Sequence, residues 1–199
     1  IYFPLWFQPS ASTYPFAKYY MDILEIAKIL NKNKSNIKIY IKEHEDIFNL
    51  SRHAWVRGSY VRSINLYEEL SSYNNIELVD ITAHHHDLID NSFAVASQTT
   101  KDIFISLSRN KPILIFGKSL LSNCAGTFAV TDLMKLDDTL ENIEKGVNID
   151  TNELIKFFEK LSLYSYLTNE MDGFDDKNYL NSSNTYLQIL DKLLIINKV

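Results

Sequence analysis

The chain has 199 residues, a mass of 23.1 kDa and a formal net charge of −5. With 46% hydrophobic and 23% charged residues it has the composition of a globular protein, which excludes a disordered or low-complexity chain. The acidic balance argues against a nucleic-acid-binding surface, because neutralising phosphates needs clustered Lys and Arg.

Residues 1–7 are apolar and aromatic and read as a strand, with Pro4 removing one ladder donor. The chain opens on Ile1 directly into that strand, so the expectation is a fragment of a longer protein. A polar turn at 8–14 leads into a pattern over 16–30, where Phe16, Tyr19, Tyr20, Ile23, Ile26, Ala27, Ile29 and Leu30 fall close to helical spacing. Ile37, Ile39 and Ile41 alternate with Lys38, Tyr40 and Lys42, which is a strand period. A long connection through Arg52, His53, Trp55 and Arg57 precedes a helix over 61–70. A short strand at 76–79, one helical turn at 86–89 and an apolar strand at 93–96 follow. A helix over 101–108 and a buried strand over 113–116 close this part. Repeated strand–helix units predict a parallel sheet covered by helices. Beyond residue 137 the period is helical only, so the division expected is an α/β domain over 1–135 and a helical extension packing on it over 136–199.

In open α/β sheets, ligands bind outside the carboxyl ends of the strands. Segments 8–13, 42–45 and 97–102 fall there. None is a Gly-rich phosphate loop. They offer Gln8, Ser10, Thr13, Lys42, His44, Ser97, Thr99 and Thr100, a set able to bind phosphate through side-chain donors and helix N-terminal amides. Glu43, Arg52, Arg57 and Asp102 are further candidates, the arginines because guanidinium binds phosphate oxygens bidentately.

The same residues carry a resemblance. Tyr2-Phe3-Pro4-Leu5-Trp6-Phe7-Gln8-Pro9, Ile39-Tyr40-Ile41-Lys42-Glu43-His44, Asn75-Ile76-Glu77-Leu78-Val79 and Lys111-Pro112-Ile113-Leu114-Ile115-Phe116-Gly117 occur in the order of the sugar-nucleotide half of capsular polysaccharide biosynthesis proteins. The chain resembles that family over its first two thirds. The resemblance implies a Rossmann-like parallel sheet flanked by helices, one half of a GT-B fold, with C-terminal helices. It also implies a glycosyltransferase domain that binds a nucleotide-activated sugar as substrate, with no cofactor required. The partner acceptor, a glycan or lipid-linked glycan, would come through an N-terminal domain absent from this fragment. The chain departs from the family pattern in four ways: His44 is followed by Glu45 instead of Pro, Pro9 by Ser10 instead of Glu, the stretch 97–105 has neither of the family's two glycines, and Ile105 stands where a Glu is usual. A catalytically degenerate domain serving as a binding or scaffold module in polysaccharide assembly is therefore the alternative. A sugar-nucleotide epimerase is a third option, but it needs more acidic residues in the cleft.

Each candidate also has a plainer role. His44 can be a surface histidine paired with a carboxylate, Lys42 an ordinary edge lysine, and Ser97, Thr99 and Thr100 helix caps. His84-His85-His86 reads as a solvated loop, since no Cys or suitably spaced partner completes a metal site, and no metal is expected. Cys124, the single cysteine, excludes an internal disulfide and points to a reducing compartment. No apolar run approaches the roughly 20 residues that span a bilayer. The location expected is the cytoplasm, including peripheral association at the cytoplasmic face of the membrane or with an assembly complex.

Overall fold

The computed structural model describes residues 1–8, 17–33, 37–48, 62–98, 102–130 and 133–162. Six parallel strands form one sheet: β1 (Tyr2–Pro4), β2 (Ile39–Lys42), β3 (Ile76–Val79), β4 (Val95–Ser97), β5 (Ile113–Ile115) and β6 (Thr127–Ala129). Their spatial order is β3-β2-β1-β4-β5-β6. The chain builds outward from β1 to β3, then crosses back to place β4 on the other side of β1. Strand order therefore reverses between β1 and β4. Helices flank the sheet: α1 (Ile23–Asn33), α2 (Ile64–Ser72), α3 (His85–Asp90), α4 (Asp102–Ser108) and α5 (Leu136–Glu144). This is the expected Rossmann-like α/β architecture.

Register follows from the alternation in the sequence. Ile39 and Ile41 are fully buried while Tyr40 between them is not. β2 pairs with both neighbours, Phe3 opposite Ile41 and Ile41 opposite Leu78. Phe3, Ile39 and Ile41 share a core with Ile26 and Leu30 of α1, Leu70 of α2, and Leu136, Leu140 and Ile143 of α5. Tyr2 alternates with Phe3 along the strand and so faces the opposite side of the sheet. All three residues of β4 and of β5 are buried, as strands covered on both faces must be. Pro4 is tolerated because it is the last residue of β1, where the ladder to β4 has already ended at Tyr2 opposite Val95.

The termini have identifiable causes. Asp22 caps α1 by accepting from the Leu24 amide at 2.9 Å, and Ser63 caps α2 by accepting from Leu66 at 3.3 Å. These caps start the helices later than the apolar pattern suggests. A 3₁₀ turn, Lys18–Met21, occupies the front of the first predicted helix. α4 ends in a Schellman arrangement: Asn110, at φ 56°, donates to Leu107 O, and Lys111 donates to Ser106 O.

β6 is an element the sequence does not announce. It has three residues, lies at the sheet edge and lacks alternation. Gly126, at φ +83°, turns the chain into it. Residues 1–150 form one compact unit, and α5, expected to begin the C-terminal extension, lies within it. The second unit begins at residue 151 with α6 (Thr151–Ser162), an amphipathic helix in which the rings of Phe157 and Phe158 meet edge to face. The helical pattern expected beyond residue 162 lies outside the described residues. No described helix is long and apolar enough to cross a membrane.

A Cβ at position 126 would lie 2.7 Å from Ile149 Cδ1 and 2.9 Å from Leu107 Cδ2, on a backbone that side chains rarely adopt. Gly126→Ala is expected to destabilise the unit by about 1–3 kcal/mol in a urea titration.

Candidate functional site

The reversal of strand order leaves a crevice at the carboxyl ends of β1, β2 and β4. It is open and has a volume of about 440 Å³, within the roughly 300–1,000 Å³ typical of ligand sites. One wall is the β1 exit, from Pro4 to Trp6, and the β2 exit, from Lys42 to Asp46. The other wall is His85 and His86 of α3 with Asp102 and Ile105 of α4, and Tyr2 lies between the walls.

The first wall is held by Arg62, just ahead of the α2 cap. Its side chain is 1% exposed. Nε donates to Glu43 Oε2 at 2.7 Å, Nη1 to Gln8 Oε1 at 2.7 Å and Nη2 to the Trp6 carbonyl at 2.9 Å. Tyr67 donates its hydroxyl to Glu43 Oε2 at 2.8 Å, and the His44 amide donates to Glu43 Oε1 at 2.7 Å. Burial first, and then the bond to Glu43, push the Tyr67 phenol well above its ordinary pKa, so it stays a donor. One guanidinium thus fixes the exits of two strands.

The functional groups sit on that support. Lys42 is buried along its stem and pairs with the exposed Glu45 at 3.1 Å. The His44 ring meets Trp6 and Phe7 edge to face, at centroid distances of 5.7 and 5.8 Å. Its Nδ1 accepts the Asp46 amide at 3.2 Å, so the neutral ring carries its proton on Nε2.

The second wall carries a chain of three side chains. Tyr2 Oη lies 2.9 Å from His85 Nδ1, and His85 Nε2 lies 3.3 Å from Asp102 Oδ1. Tyr2 and Asp102 are buried, and the His85 side chain is 27% exposed. Burial, then the negative charges of Asp102 and Glu45, push the Tyr2 phenol far above its ordinary pKa, so it keeps its proton. The far ends of α3 and α4 are tied as well. Arg109 Nε donates to Asp90 Oδ1 at 2.6 Å, and Lys111 Nζ donates to the Asp90 and Ser92 carbonyls at 2.6 and 2.9 Å.

Of the residues expected at the site, the structure brings Lys42, Glu43, His44 and Asp102 together. Gln8 does not line the crevice; it braces Arg62 and donates to the Met21 carbonyl at 3.3 Å. Ser97 does not reach it either, being 1% exposed with its carbonyl accepting the Phe116 amide. Ser10, Thr13, Arg52, Arg57, Thr99 and Thr100 lie outside the described residues, as do His53 and Trp55. Arg62 and His85 are the residues the sequence reading missed. The solvated-loop reading of the histidine triplet does not hold for His85, because the first turn of α3 points it at Tyr2 and Asp102. Among the described residues no three His, Cys, Asp or Glu side chains form a metal-binding group.

Removing Arg62 would leave Glu43 as a buried, unpaired charge. Arg62→Met is expected to cost about 3–5 kcal/mol in chemical unfolding. Adding Glu43→Leu should recover a large part of that loss, because the stranded charge is then gone.

No family model and no curated protein matches the chain. Among solved structures it is similar to KpsC of Thermosulfurimonas dismutans, a β-Kdo 2,7 transferase. Identity is 17%, the TM-score is 0.52, and the match covers 78% of this chain and 43% of that one. The chain therefore spans less than half the length of that neighbour, and the likeness is one of fold.

Proposed function

We propose that the crevice binds the phosphate-bearing part of a nucleotide-activated sugar, and that the chain is the donor-binding half of a glycosyltransferase of surface-polysaccharide assembly. The observation that carries this reading is the position of Lys42 and His44. Both stand at the exit of β2, in a ligand-sized crevice where the strand order reverses, which is where open α/β sheets bind ligands. The fold shared with a Kdo transferase supports a sugar-transfer role.

In sugar transfer the bond from the anomeric carbon to the phosphate oxygen breaks, and negative charge develops on the leaving phosphate. Groups aimed at that charge lower the barrier because they need no reorganisation as it forms. Lys42 would have to turn its cation from Glu45 toward that charge, and His44 brings a proton on Nε2. The aromatic edge of Trp6 offers an apolar surface beside them. The acceptor hydroxyl and its base would come from the other domain, so this chain alone is expected to bind donor without transferring sugar.

A second reading has its own support. Lys42 is already paired with Glu45, and Ile105 presents an apolar side chain where a sugar hydroxyl would need an acceptor. Those features suit a domain that has lost donor binding and serves as a scaffold.

Calorimetric titration with CMP, UDP, GDP and their sugars separates the two. The transferase reading expects saturable binding of one nucleotide class, weakened about tenfold (~1.4 kcal/mol) by His44→Ala. No heat from a folded sample at millimolar nucleotide would contradict it and leave the scaffold reading.

A further inference from the structure

Lys42 is a cation with little freedom and few partners. Its backbone lies in β2 between Pro4 and Val79, and its carbonyl accepts the Leu5 amide at 2.8 Å. Its side chain is only 6% exposed, yet it lines the crevice. An ammonium has three protons to donate. Among the described residues Lys42 uses one of them, on Glu45 Oε1 at 3.1 Å. Asp80 is not a rival partner. The Thr82 hydroxyl and amide, at 2.6 and 2.7 Å, hold its carboxyl below the usual carboxylate range, and Lys42 contributes less.

Glu45 is the opposite case. Its side chain is 72% exposed, and it starts a 3₁₀ turn, Glu45–Phe48, beyond the end of β2. A carboxylate so exposed recovers its water when it leaves the pair, and an ion pair with one solvated partner is weak. Lys42 cannot leave in the same way, because its stem is buried at a strand end. A ligand oxyanion offers several acceptor oxygens to that ammonium, where Glu45 offers one. The stable half of the pair is therefore the cation, and the exchangeable half is the carboxylate.

We infer that Glu45 is a built-in competitor at the crevice: its carboxylate occupies the Lys42 ammonium until a ligand oxyanion, a phosphate or a group of the same shape and charge, displaces it. On displacement Glu45 turns out into solvent, and the Lys42 backbone stays where β2 holds it. The resting pair then sets how tightly an oxyanion binds; it does not abolish the site. The inference rests on the proposal that phosphate enters this crevice, and it adds which residue limits that binding.

Sodium sulfate is the oxyanion probe, at fixed ionic strength so that screening stays constant. Affinity is read from backbone amide shifts of the isotope-labelled chain, which report millimolar binding. Glu45→Gln keeps a side-chain oxygen for Lys42 and removes only the competing charge. It is expected to tighten sulfate binding about fivefold, the upper end for a pair with one solvated partner. Asp46→Asn removes a charge from the next residue of the same wall but leaves the Lys42 pair, and should change the affinity by less than about twofold. In a Lys42→Met background Glu45→Gln should give no gain, because no cation remains to unmask. In the wild-type chain the Glu45 carboxyl-carbon resonance should move on saturation with sulfate, a readout that survives if a variant does not fold. An equal gain from Asp46→Asn, a gain that persists with Lys42→Met, an unmoved Glu45 resonance, or no sulfate binding by Glu45→Gln would each overturn the inference. UDP-glucose, GDP-mannose and CMP-N-acetylneuraminate separate it from the donor reading. Tighter binding of one of them by Glu45→Gln than by the wild-type chain supports both. Equal binding by the two forms overturns the role of Glu45 and leaves the donor reading standing. Tightened sulfate binding in Glu45→Gln, with no sugar nucleotide bound by either form, supports the role of Glu45 and overturns the donor reading.

Discussion

Glu43 is a carboxylate taken out of water at the end of a central strand, and the shape of the site depends on how it is paired. An isolated carboxylate in that position would be strongly destabilising. Arg62 matches it, and the same guanidinium reaches the Trp6 carbonyl and the Gln8 side chain. The pair joins the exit of β1, the exit of β2 and the start of α2 through one rigid planar group. Lys42 and His44 flank Glu43 in the chain, so their backbone positions are set by the same contacts. A buried ion pair of this kind adds little net stability over a well-packed apolar cluster. It does impose one geometry on two strand exits that would otherwise be loops, which a binding wall needs.

The opposite wall is organised differently. α3 and α4 are short and are clamped at both ends, by Tyr2, His85 and Asp102 toward the crevice, and by Asp90, Arg109 and Lys111 at the far side. One wall thus offers fixed charge that is already matched, and the other a histidine held between a buried phenol and a buried carboxylate. Between them lies an opening that exists because β4 is added beside β1 instead of beside β3. The topology positions the crevice, and buried polar contacts then give each wall its chemistry.

Much of the sheet was legible in the sequence because its signals are local. The Ile37-Ile39-Ile41 alternation marks β2, and the segment 76–79 is recovered with its bounds unchanged. Repeated strand–helix units foretold the parallel sheet. β6 was not legible, because a three-residue edge strand buries too little to leave a period. At the site, Lys42, Glu43 and His44 could be read from their place at a strand end. Ser97 looked equivalent, but its strand runs on through position 97 and keeps it in the sheet. Arg62 gave no signal, because its partners lie 19 and 54 residues away in sequence. His85 was hidden between two other histidines: only the start of α3 decides which of the three faces Tyr2, and local spacing does not encode that.

The central claim is that the crevice between β1, β2 and β4 is where this chain meets its ligand. The most direct test maps backbone amide shifts of the isotope-labelled chain on titration with a nucleotide or nucleotide sugar. The account expects the largest changes at Leu5 to Phe7, at Lys42 to Asp46 and at His85. Changes confined instead to the groove of about 430 Å³ between α1 and Leu133, lined by Lys28, Lys32 and Tyr73, would contradict it.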